Sequence, residues 1–293
     1  MYDIKALYQA DTVAQAVELR LRHPAAKVIA GGSDVLIQMR EGRLAGVELI
    51  SIHGLEALRG VELEPDGTLR IGSLTTFTRL ENDPLIRRHL RVLGEAAGQV
   101  GGPQIRNIGT IGGNTCNGVT SADTASTLLA HNAVVELMGP DGVRLTPIRE
   151  FYLRAGAVDL RPGEIQTALL IRRDDYMETY GHYIKYAMQN AMDIATLGTS
   201  VNVRLSADKR TVERARIAFG VAGPVPMRAE TAELAAAGQP LCPELAETFA
   251  QAVREDIQPR DSWRAARDFR MHIAVESARR AFLEAVRLAG GAL

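Results

Sequence analysis

The sequence predicts an α+β chain in two domains, on three observations. The first fifty-odd residues alternate helix-like and strand-like runs, as in a small α/β unit. Two pairs of strand-like runs are each joined by a Pro-Asp-Gly turn, at Pro65-Asp66-Gly67 and Pro140-Asp141-Gly142. From about Tyr180, strands come first and helices afterwards, which marks a second α+β unit.

In chain order, Asp11 and Thr12 suit an N-cap, Val13, Ala16 and Val17 recur at helical spacing, and Pro24 stops the helix. Lys27 to Ala30 is a short apolar strand. A helix follows from Asp34 through VLIQMRE, with Gly42 just past its end. Glu48 to Ile52 is the next strand. At the two Pro-Asp-Gly turns, proline presets φ and glycine tolerates φ above zero. Between those hairpins, Thr76 to about Ala97 reads as helical. Gly98 to Gly118 reads as a long glycine-dense loop, a length that usually marks function or mobility. The polar RRDDYMET segment divides the chain into residues 1–176 and 177–293. Beyond it, YIKYAM, TSVNVRLS and VERARIAFGVAG read as antiparallel strands, with Ala207-Asp208-Lys209 at a turn. Helices follow over about 229–237, 243–257 and 262–288.

Composition narrows the function. With 46% hydrophobic and 24% charged residues, the 293-residue chain is an ordinary globular protein. A net charge of −1 gives no reason to expect nucleic acid. The start, MYDIKALYQADT, lacks a secretory pattern, and no apolar run reaches the roughly 18 residues of a membrane span. Cys116 and Cys242 are too few for an iron–sulfur cluster and show no zinc-type spacing. A cytoplasmic chain with no metal of its own is expected, without a disulfide.

Two segments carry candidate chemistry. The first is KVIAGGSD: Lys27, Val28, Ile29, Ala30, Gly31, Gly32, Ser33 and Asp34. Paired glycines let successive backbone N–H groups converge on phosphate oxygens at a helix start. The alternative is a plain strand-to-helix turn capped by Asp34. The second is GTIGGN: Gly109, Thr110, Ile111, Gly112, Gly113 and Asn114, with Ile105, Ile108 and Ile111 as apolar anchors. Its alternative is a floppy loop. Neither is GxGxxG or GxxxxGK(S/T). Two such loops in one domain suit a dinucleotide whose diphosphate lies between them. Asp123, in TSADTAS, fits a helix cap. Lys185 is one of only four lysines and sits in the strand YIKYA, where a solvated face explains it equally well. No HExxH or GxSxG occurs, and the histidines are scattered. No catalytic residue is assigned; a cofactor would have to supply the chemistry.

KVIAGGSDVLIQ, PQIRNIGTIGGNTCNG with SADTAS, YIKYAMQNAMDIAT and PRDSWRAARDFR, in this order, resemble the FAD-binding subunits of molybdenum hydroxylases. The resemblance spans essentially the whole chain and is nearest to bacterial xanthine dehydrogenases. It implies an N-terminal FAD-binding region of two α/β subdomains, about 1–54 and 55–176, of the vanillyl-alcohol-oxidase (PCMH) type. It implies a C-terminal domain of a three-stranded antiparallel sheet plus a helical bundle. It places the FAD diphosphate between the two glycine loops and Asp123 near the adenosine end. It makes Ile165, in GEIQ, and Lys185 further FAD contacts, and sets Cys116 beside the isoalloxazine ring without a redox role. It implies partners as well: a large molybdopterin subunit and a small subunit with 2Fe–2S clusters, with NAD+ as the electron acceptor. The chain alone is then expected to bind FAD and oxidise no purine. The alternatives are the FAD subunit of a carbon monoxide, nicotinate or aromatic-acyl-CoA system, a stand-alone flavin oxidoreductase of the same fold, and a non-catalytic module.

Overall fold

The computed structural model of the protein describes residues 2–292. Strand β1 (Ile4–Gln9) leads into helix α1 (Val13–Arg22), where the Thr12 hydroxyl accepts from the Gln15 N–H at 3.1 Å. Strand β2 (Lys27–Ile29), helix α2 (Val35–Arg40) and strand β3 (Val47–Ser51) complete a parallel sheet of order β1-β3-β2. Parallel neighbours need crossover connections, which the helices supply. Gly42 follows α2 at φ +76°, as its position suggests.

The second layer is a five-stranded antiparallel sheet of order β4-β5-β10-β6-β7. Strands β4 (Val61–Leu63) and β5 (Leu69–Gly72) form the first hairpin, with Gly67 at φ +85°. Helices then follow: α3 (Phe77–Asn82), α4 (Pro84–His89), α5 (Arg91–Gly98), α6 (Pro103–Ile108), α7 (Ile111–Asn117) and α8 (Asp123–Ala130). The continuous helix expected over 76–97 is thus divided. The residue before proline avoids the helical region, and Asp83 is extended at φ −67°, ψ 130°, capping the Leu85 N–H at 2.9 Å. The loop expected over 98–118 also contains α6 and α7. Pro103 starts α6, the Thr110 hydroxyl caps α7, and Gly118 ends it at φ +65°.

Strands β6 (Val134–Gly139) and β7 (Gly142–Pro147) make the second hairpin. Helix α9 (Ile148–Phe151), the small pair β8 (Tyr152–Arg154) and β9 (Ala157–Val158), strand β10 (Ile165–Ile171) and helix α10 (Arg173–Tyr176) follow. Leu69, Ile71, Leu93, Leu128, Val135 and Leu169 close a core between this sheet and its helices.

The third sheet is antiparallel, of order β11-β12-β13-β14: β11 (Tyr180–Tyr186), β12 (Leu197–Leu205), β13 (Val212–Gly220) and β14 (Met227–Arg228). The short β14 adds a strand to the three expected. Helices α11 (Glu230–Ala236), α12 (Pro243–Ala252) and α13 (Arg267–Leu288) cover one face, where Phe249 stacks on Phe282 at 4.5 Å. Helix α13 begins at Arg267 rather than 262. Residues 262–265 make a bridged turn, and Asp261 accepts from the Arg267 N–H at 2.7 Å. Helix α8, buried along its whole length, packs against β12 and β13 and also against α5. It ties the third sheet to the rest of the chain.

Candidate cofactor site

The two glycine segments meet. A Cβ on Gly31 would lie 1.8 Å from the Ile108 carbonyl oxygen, so the backbone ahead of α7 crosses directly over Gly31. Together they wall a cleft of about 390 Å³, within the range of small-molecule sites. From the expected set, Lys27, Val28, Ala30, Gly31, Gly32, Ser33, Asp34, Thr110, Gly112, Gly113, Asn114, Cys116 and Ile165 line it.

The two loops offer this cleft different chemistry. In the first, the N–H groups of Gly31, Gly32, Ser33, Asp34 and Val35 donate to no protein acceptor among the described residues. Gly32 takes φ +75°, and this left-handed residue at the start of α2 turns the donors into the cleft. Asp34 makes no capping bond; its carboxylate accepts from the Gln38 amide instead. In the second loop the donors are already used. Ile111 N–H donates to Thr75 O at 3.0 Å and Gly112 N–H to Ser73 O at 2.8 Å. Gly113 N–H reaches the Thr110 hydroxyl at 3.1 Å, and Asn114 N–H reaches Thr110 O at 3.0 Å. What this loop presents is side chains. The Thr124 hydroxyl donates to Asn114 Oδ1 at 2.7 Å, which leaves the Asn114 amide nitrogen as a donor for the cleft.

Five expected residues lie outside the lining. Ile29 packs beside Met39 and Leu49, and Ile111 is fully buried in the central core. Gly109 is shielded by Phe77, 3.0 Å from where its Cβ would be. Asp123 and Lys185 pair with each other at 2.9 Å. Lys185 also donates to Gln99 O, and Tyr183 donates to Asp123, each at 2.9 Å. Lys185 is therefore a buried tie between β11, α8 and the segment after α5, and not a solvated strand lysine. Burial pushes the Asp123 carboxyl upward, against the pull of Lys185 and Tyr183. The cleft lies one step away, through Thr124 and Asn114.

Motif reasoning missed other lining residues: Arg20, Ser73, Asn117, Glu164 and Gln166. Gln166 was legible, as a polar residue inside the apolar strand IQTALLI. Arg20 was not, because a basic residue in the last turn of a helix is ordinarily a match to the helix dipole. Arg20 Nε, Ser73 Oγ and Gln166 Nε2 are all buried without a protein partner among the described residues. All three belong to residues that line the cleft. The open N–H run suits a diphosphate, so the residues present fit a flavin dinucleotide. The Cys116 thiol donates to Gln166 Oε1 at 2.8 Å; burial pushes it up to about 12, so it stays protonated.

Residues 2–171 match the family model described as the FAD binding domain in molybdopterin dehydrogenase. Residues 182–285 match that of the CO dehydrogenase flavoprotein C-terminal domain. The chain is 42% identical to the xanthine dehydrogenase FAD-binding subunit of Escherichia coli O157:H7 over 100% of both chains. It is 34% identical to the nicotinate dehydrogenase FAD-subunit of Eubacterium barkeri, over 78% of each. Among solved structures, carbon monoxide dehydrogenase from Hydrogenophaga pseudoflava superposes at a TM-score of 0.92, with 29% identity over 99% of each chain.

Proposed function

This chain belongs to the FAD-binding family of molybdopterin dehydrogenases, close to xanthine dehydrogenase, and from that we propose that it is the flavin subunit of a xanthine dehydrogenase-type complex. In this role it takes electrons from 2Fe–2S clusters of a small partner subunit and delivers them to NAD+. A large partner subunit with molybdopterin oxidises a purine. Bound FAD supplies the exchange between single electrons and a hydride; the chain binds, orients and shields it. The division into residues 1–176 and 177–293, and a cytoplasmic location, belong to the same proposal.

The run of open N–H groups from Gly31 to Val35 carries the assignment of the diphosphate to the first loop. Its donors sit at the start of α2, where the helix field also favours negative charge. Thr110 and the Asn114 amide face the same cleft from the other wall. Lys185 and Asp123 act through Thr124 and Asn114.

The chain purified alone should bind FAD and turn over no hypoxanthine. Reconstituted with its large and small partners, it should reduce NAD+ with hypoxanthine and not with nicotinate or carbon monoxide. Purine oxidation by the single chain, or a preparation that refuses added FAD, would overturn this function.

A further inference from the structure

The third sheet is apolar toward α13 and polar toward α8. On the α13 side, the Thr199 hydroxyl meets the Ser277 hydroxyl at 2.8 Å. Side chains alternate along a strand, so Ser200 and Asn202 of β12 point the other way, to α8. Tyr183, which stands opposite Ser200, shares that side, since it donates to Asp123 at the start of α8. Ser126 lies one turn beyond Asp123 on the same side of α8. Ser126, Ser200 and Asn202 are 1%, 0% and 2% exposed. Ser126 Oγ, Ser200 Oγ and both polar atoms of the Asn202 amide have no hydrogen-bond partner among the described residues. Because both amide atoms are open, turning the amide over cures nothing. Buried polar atoms are ordinarily bonded, and four unpartnered ones between one helix and one strand need a partner.

The chemistry of these groups names the partner. The charged residues at either end are already matched: Asp123 by Lys185 and Tyr183, and Arg216, opposite Asn202, by Asp175 at 2.7 Å. What remains is one amide donor, one amide acceptor and two hydroxyls. An anion would use only the donors, a cation only the acceptors, and an apolar molecule neither. The neighbours in the ladders are small: Ala218 stands beside Ser200, and Gly181 beside Asn202. A Cβ on Gly181 would lie 2.1 Å from Asn202 Oδ1, so the glycine makes room for the amide. We infer that ordered water binds between α8 and β12, bridging Ser126, Ser200 and Asn202. Water donates and accepts at once, and a buried water typically makes about three hydrogen bonds. The place gives the site its consequence. Helix α8 lies within the residues that match the FAD binding domain, and β12 within those that match the C-terminal domain. The second unit is thus seated on the first partly through water. Water bridges can exchange partners, so this joint accommodates small shifts that a close-packed apolar joint resists.

The sign of a stability change tests the site. Full-length Ser200→Ala and Ser126→Ala are compared with the wild type by urea unfolding. If the hydroxyls hold water, removing one strands the groups it bridged, and the unfolding constant of Ser200→Ala should rise roughly tenfold. Ser126→Ala should lose less, because helix propensity favours alanine. If the hydroxyls bind nothing, removing one relieves the cost of burying it, and the variants gain stability. A gain or no change in either variant would overturn the inference. A crystal structure of the wild-type full chain that resolves bound water gives a second reading, which stands even if a variant does not fold. A water within about 3.2 Å of at least two of the three side chains is expected. A dry contact between α8 and β12, or an Asn202 amide bonded wholly to protein, would overturn the inference.

Discussion

The loops at Gly31-Gly32 and Gly112-Gly113 repeat one sequence device and use it for different ends. In the first, the left-handed Gly32 leaves a run of N–H groups without protein acceptors among the described residues. In the second, glycine permits close packing: a Cβ on Gly112 would sit 2.5 Å from Ser73 Cβ, and the N–H groups of the turn are bonded within the fold. Gly31 belongs to both uses, since its missing side chain admits the Ile108 carbonyl. A glycine pair therefore signals close backbone approach, and only the hydrogen-bond inventory tells whether a ligand or the protein does the approaching.

The largest expected effect lies where the loops touch. Gly31→Ala places a methyl group 1.8 Å from a backbone oxygen that cannot rotate away. It should destabilise the fold by about 3 kcal/mol or more, with FAD binding lost in parallel. Urea unfolding checks it; an unaltered midpoint would mean that the loops are not in contact.

Acid should act on both loops together. His131, buried at the end of α8 with Nδ1 2.8 Å from Thr127 O, is held at about 4 by burial, below its ordinary 6.5. Its folded pKa is depressed, so the unfolded chain binds the proton more readily. The stability it contributes is complete above pH 6.5 and is lost as pH falls toward 4, by about 3 kcal/mol in all. Denaturation midpoints across that window, compared with a His131→Gln variant that should flatten the trend, provide the check.

Gly32→Val separates the loops. Its left-handed φ of +75° makes any side chain strained, by about 1–3 kcal/mol. The nearest atoms to a Cβ there are the ends of Ile29 and Leu36, 3.2 Å away, which can shift. The chain should fold with reduced stability, while FAD binding falls roughly a hundredfold, about 2.7 kcal/mol. A folded variant that titrates with FAD like the wild type would dismiss the first loop as the diphosphate site.

The smallest effect is expected at Gly113. A Cβ there meets only the Thr110 hydroxyl at 3.0 Å, and helix propensity favours alanine by up to about 1 kcal/mol. Gly113→Ala should change FAD affinity by less than about threefold, under 1 kcal/mol. A large loss would return the second loop to the role of diphosphate binder.

Much of the fold was legible because its signals are local. The capping Thr12, the Pro-Asp-Gly turns and the terminal Gly42 each act within a few residues. Strand β1 was not legible: Ile4 and Leu7 stay exposed, and the parallel ladder to β3 holds the strand with little buried pattern. Helices α6 and α7 were hidden by glycines that ordinarily oppose helix, while Pro103 and Thr110 start them. At the site, the glycine loops were legible and their division of labour was not. Whether Gly112 N–H is free depends on Ser73, a residue nearly forty positions away in sequence. Arg20 carries no motif, being a basic residue in the last turn of α1, whereas Gln166 gives only the signal of a polar residue inside an apolar strand.

The central claim is that backbone donors of the first loop, and not the second, hold the diphosphate. A crystal structure of the full chain with FAD bound tests it directly. Phosphate oxygens should lie within about 3.2 Å of backbone nitrogens between Gly31 and Val35. The Ile111 to Asn114 nitrogens should keep their protein acceptors. A diphosphate seated on the Ile111 to Asn114 nitrogens, with the first loop bonded elsewhere, would contradict the account.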